Sequence, residues 1–151
     1  MQQQSRSKAL PHYERILYAT DGSPSAQEVG KHAIFLAQRS QAQLIVLFVV
    51  SHSLTRRLSF LLRRTMGEER RMARHAVDDI LKLAAASGVQ CLPAIEFGHR
   101  SDVIDRVATR YDADLIVMSS PGGEDLQRIF GPLPSGIAPL WSRRPVCVIM
   151  C

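Results

Sequence analysis

At 151 residues, with 46% apolar and 22% charged positions, the chain suits one domain that can bury a core without metal or disulfide support. That composition excludes a disordered chain, and no apolar run approaches the roughly 18 residues needed to cross a bilayer. The formal charge of +5 is not spread evenly: seven arginines between positions 56 and 74 stand against Glu68 and Glu69, and the rest of the chain is neutral.

Residues 1–12 are mostly polar and without periodicity, and read as a mobile tail before a single domain over 13–151. They hold no apolar core followed by a small-residue cleavage site, so a cytoplasmic protein is expected. Arg15 to Thr20 (RILYAT) is an apolar run ended by Asp21-Gly22-Ser23-Pro24, where Ser23 suits an N-cap and Pro24 the first helical position. Ala26, Val29, Ala33, Ile34, Leu36 and Ala37 then recur at helical spacing up to about Arg39. Gln43 to Val50 (QLIVLFVV) is a second strand. The pattern blurs after Ser51, where leucines alternate with arginine pairs, and a long helix gathers from Met66 and closes at Ser87-Gly88.

Val89 to Ile95 reads as a weaker strand, and Pro93 suits it to a sheet edge. Phe97 to Ser101 forms a turn in which Ser101 can cap a helix with Val103, Ile104, Val107 and Ala108 inward, ending near Tyr111. Leu115-Ile116-Val117-Met118 is an unbroken apolar run of the kind that parallel strands buried on both faces show. Leu126, Ile129 and Phe130 suggest a short helix, and the prolines at 132, 134 and 139 confine any later one to Ser135 or beyond. Val146 to Met150 is a final strand. Five strands interleaved with helices call for right-handed crossovers and a three-layer α/β fold, a parallel sheet covered on both faces.

Ligands of such sheets bind beyond the carboxyl ends of the strands, where N–H groups and helix N-termini converge. Ser119-Ser120-Pro121-Gly122-Gly123 lies at one of these ends, although taken alone an ordinary βα turn is the simpler reading. Cys91, Cys147 and Cys151 are odd in number and form no CxxC pair, so buried, reduced thiols are expected. There is no GxSxG elbow, and the five histidines show no HExxH spacing. Asp21 lacks the neighbouring acids and the late lysine of a phospho-acceptor site. Binding without turnover is therefore expected, with no catalytic and no metal-ligating residues assigned.

RILYATDGS, LIVLFVV, FGHRSDVI, DADLIVMSSPGG and RRPVCVIM together make the chain, from about Arg15 to Met150, similar to a universal stress protein domain. The resemblance implies a Rossmann-like sheet of the adenine-nucleotide alpha hydrolase type with strand order 3-2-1-4-5, a role in stress response, and a homodimer joined through the last strand, 146–150. Nucleotide-binding members of that family carry Gly-x-x-Gly, nine residues, then Gly-Ser or Gly-Thr, so that main-chain donors and a hydroxyl surround the phosphates. Here Ser119 takes the first glycine's place and Gly122 the second, while Pro132 and Leu133 stand where Gly-Ser would be; Gly131, one residue early, and Ser135 are the available substitutes. Asp21 matches the acidic residue that contacts nucleotide, and Ala19 and Val49 match positions lining the adenine pocket. Asp21 could equally cap its turn, and Ala19 and Val49 could equally be core.

The first expectation is thus a universal stress protein-like regulatory module with degraded ATP binding, acting through dimerisation and contacts with a partner protein. The alternative is a member that binds ATP or AMP with Mg, using Asp21, Gly122, Gly131 and Ser135 for slow hydrolysis or nucleotide-dependent switching. A third reading makes the 56–74 arginine segment a binder of RNA or lipid surfaces.

Overall fold

The computed structural model describes residues 12–50, 62–120 and 144–150. Within them run β1 (Arg15–Thr20), α1 (Pro24–Ser40), β2 (Gln43–Val50), α2 (Leu62–Ala86), β3 (Cys91–Phe97), α3 (Arg100–Arg110), β4 (Leu115–Ser120) and β5 (Val146–Met150). The five strands form one sheet in the order β3-β2-β1-β4-β5, and every neighbouring pair is parallel. No described helix is long and apolar enough to cross a membrane.

The alternation of side chains along a strand divides the core in two. Ile16, Tyr18, Leu44, Val46 and Val117 face α1 and α2, while Leu17, Ala19, Ile45, Ile116 and Met118 face α3. All ten are buried, which is why the central strands read as unbroken apolar runs. β1 lies at the middle of the order, between β2 and β4, and is fully buried from Ile16 to Tyr18.

Beyond α2, which begins at Leu62 and not at Met66, and β4, which runs on through Ser119 and Ser120, two boundaries differ from the sequence reading. β3 runs from Cys91 to Phe97 instead of from Val89 to Ile95. The chain leaving α2 is still turning at Val89, whose N–H donates to Ala84 O, after Gly88 has taken up φ +71°. Two further residues, Glu96 and Phe97, are then drawn into pairing with Val49 and Val50. Pro93 does sit on an edge strand. The second difference is the start of α3, where the N-cap is His99 and Ser101 lies inside the first turn.

The two aspartates of the DADLIVM stretch serve the fold at the amino ends of the strands. Asp114 accepts the N–H groups of Glu14 and Arg15 at 2.7 and 3.2 Å, and Asp112, at φ +51°, pairs with Arg15 at 3.3 Å. At the start of β5, Arg144 donates from Nε to Ala113 O at 2.7 Å. The expected N-terminal tail, the blurred segment at 51–61, and the helices expected around Leu126–Phe130 and beyond Ser135 lie outside the described residues, apart from His12.

Candidate functional site

Where β1 ends, the chain makes a turn that satisfies itself. Thr20 Oγ1 accepts from Gly22 N at 3.1 Å and Asp21 Oδ1 from Ser23 N at 2.9 Å. Ser23 Oγ accepts from Ala26 N at 3.2 Å, so Ser23 is the N-cap of α1, with Pro24 following it. Asp21 therefore does cap its turn, but with one oxygen only. Its Oδ2 lies 4.0 Å from a terminal nitrogen of Arg100, the first residue of α3, and both side chains are about one third exposed (35% and 33%).

That ion pair borders a small recess at the carboxyl end of the sheet, lined by Ala19, Arg100, Ile104, Met118 and Ser119. β1 and β4 supply its floor, and their pairing of Ala19 with Met118 sets Ser119 just beyond. A wider hollow lies where β2 and β3 begin, walled largely by the glutamines at 38, 41, 43 and 90. It is at the amino end of the strands, where neither helix N-termini nor the strand-end loops converge, so the smaller recess is the candidate site.

Of the residues expected from the sequence, Ala19, Asp21 and Ser119 meet at this end of the sheet. Val49, on the neighbouring strand β2, packs against the same apolar layer as Ala19 without lining the recess. Gly122, Gly131, Pro132, Leu133 and Ser135 lie outside the described residues. Arg100 was not foreseen. A lone arginine after Gly-His reads as a solvated charge, and only the β3-to-β4 crossover carries it back to Asp21.

The turn that delivers Arg100 is built differently from the first. Gly98 holds φ +143°, a conformation that other residues rarely adopt. His99 makes no side-chain capping bond; its Nδ1 instead pairs with Ser101 Oγ at 2.9 Å. The far end of β3 is fastened to α3 by Glu96, bonded to Arg110 at 2.6 Å and to Arg106 at 3.3 Å. The hydrogen bond from Arg110 above all holds the Glu96 carboxyl below the usual glutamate range.

Elsewhere the chemistry is quiet. Cys91 and Cys147 are unpaired and partly buried, and burial pushes the Cys91 thiol up to about 11, which leaves little reactive thiolate at neutral pH. Among the described residues no cluster of His, Cys, Asp and Glu could hold a metal ion. In the described part of the arginine segment, Arg70, Arg71 and Arg74 are exposed on α2, and Arg70 lies 5.2 Å from the centre of the Phe97 ring.

The universal stress protein family model matches residues 12–138. A universal stress protein of Methanocaldococcus jannaschii is 32% identical over 122 residues, covering 78% of this chain and 70% of that relative. The structure of a universal stress protein from Lactobacillus plantarum superposes with a TM-score of 0.71 at 28% identity, over 93% of this chain and 99% of the other. An Arabidopsis thaliana member of the same fold, determined with AMP bound, gives a TM-score of 0.64 at 17% identity, over 91% of each chain.

Proposed function

The chain belongs to the universal stress protein family, and from that premise we propose that it is a regulatory module that reads an adenine nucleotide with a weakened hold on the triphosphate, without turnover. The observation that carries this reading is an asymmetry between two parts of one site. Ala19 and Asp21 remain at the end of β1 beside a recess, whereas Pro132 and Leu133 occupy the places of a glycine and a hydroxyl residue. Proline offers no N–H and leucine no hydroxyl. Two missing donors to charged phosphate oxygens weaken the complex by about 3 kcal/mol or more, over a hundredfold in affinity. A mononucleotide depends far less on those donors, and a relative of this fold has been determined with AMP.

Assembly into a homodimer through 146–150 belongs to the same proposal. β5 is one of the two outer strands of the sheet, and an outer strand presents unpaired backbone groups to a second copy. Sedimentation at micromolar concentration is expected to give a dimer, and a monomer throughout would remove this part. Isothermal calorimetry tests the ligand. AMP is expected to bind at least as tightly as ATP, and ATP binding a hundredfold tighter than AMP would overturn the reading.

A further inference from the structure

We infer that Arg100 is the specificity-determining residue of the recess: it makes the site prefer a nucleoside that carries a phosphate over the bare nucleoside. The inference rests on the reading of this recess as an adenine-nucleotide site and goes beyond it by naming the cation that reads the phosphate.

A carboxylate at the mouth of a site repels an incoming phosphate dianion unless a cation stands beside it. Here the neighbouring cation is Arg100, with one terminal nitrogen 4.0 Å from Asp21 Oδ2. The contact is long and uses one corner of the guanidinium. Arginine has five N–H donors in a planar fork, so most of its hydrogen-bonding capacity is left for another acceptor. No other hydrogen bond or ion pair engages the Arg100 side chain among the described residues.

Position narrows the role further. Arg100 lines the recess together with Ser119, Met118 and Ala19, so its head group and the strand ends border the same space. One third of the side chain is exposed, so it can turn toward a ligand without leaving a buried cavity behind. The first turn of α3 adds to the same field, because its cap supplies no side-chain acceptor and the positive end of the helix is not neutralised at His99. Asp102 in that turn offsets part of this effect, and among the described residues lining the recess the guanidinium is the one cation. A planar fork of N–H groups matches the geometry of phosphate oxygens, whereas a ribose hydroxyl gains little from it.

Selectivity is the quantity to measure, because a purely structural fault would weaken all ligands together. Calorimetry of the full chain with AMP and with adenosine gives the ratio of the two affinities. In the wild type AMP is expected to bind more tightly. Arg100→Gln is expected to reduce the AMP-to-adenosine ratio about tenfold or more, the effect of losing one charge-assisted partner and baring Asp21. Arg100→Lys keeps the charge and should retain part of the preference. In Arg100→Gln, adding Asp21→Asn should restore part of the ratio by removing the repulsion. Binding of both ligands with a ratio unchanged by Arg100→Gln would overturn the role of Arg100 and leave the nucleotide site standing. If the wild type bound neither ligand, the nucleotide reading would fall and the role of Arg100 with it.

Discussion

The two described βα turns at the carboxyl end of the sheet, after β1 and after β3, start helices on opposite faces and do so by opposite means. After β1, Thr20, Asp21 and Ser23 all accept backbone N–H groups of their own turn, and Pro24 opens α1. After β3, Gly98 supplies the bend, His99 caps nothing, and the next residue turns a cation toward the first turn. A turn that uses its side chains on its own backbone becomes a wall. One that does not leaves a helix end and a guanidinium for something else to meet.

Four substitutions break or sharpen this contrast. The largest effect is expected from Gly98→Ala, because φ is +143° there and a Cβ would stand 2.9 Å from Val103 Cγ2. A loss of about 2 kcal/mol is expected in urea unfolding, from strain and overpacking together. Next come the two caps. Ser23→Ala should cost about 1 kcal/mol, whereas His99→Ala should leave stability nearly unchanged, since only the serine bonds a helix N–H. Equal losses at both positions would erase the contrast.

The smallest effect concerns Glu96, which ties β3 to α3 from outside. Its carboxyl is held below the ordinary value, chiefly by the hydrogen bond from Arg110, so its contribution is present at neutral pH and fades as pH falls below roughly 4.3 through its folded value. Melting curves between neutral and acid pH should show a small acid-side loss that Glu96→Gln lacks.

The first turn was legible in the sequence because its grammar is local. Asp-Gly-Ser-Pro states an N-cap and a helix start within four residues, and the structure follows it bond for bond. The second was not. Ser101 looked like the cap by the same grammar, but the helix opens at Arg100 with His99 before it, and the serine hydroxyl bonds the histidine ring. β3 was displaced by two residues for a related reason: Val89 is apolar and β-branched, yet its N–H closes the end of α2. The apolar runs of β1, β2 and β4 were legible because burial on both faces confines Arg15, Thr20, Gln43, Ser119 and Ser120 to the strand ends. The encounter of Arg100 with Asp21 joins residues far apart in the chain and becomes visible only once the crossover is folded.

The proposed function requires a chain that keeps the adenine end of the site and holds a triphosphate only weakly. The most direct measurement is the nucleotide released on denaturing protein purified without added nucleotide, separated by chromatography and counted per chain. ATP far below one per chain is the predicted result, with or without retained AMP. ATP approaching one per chain would contradict the account.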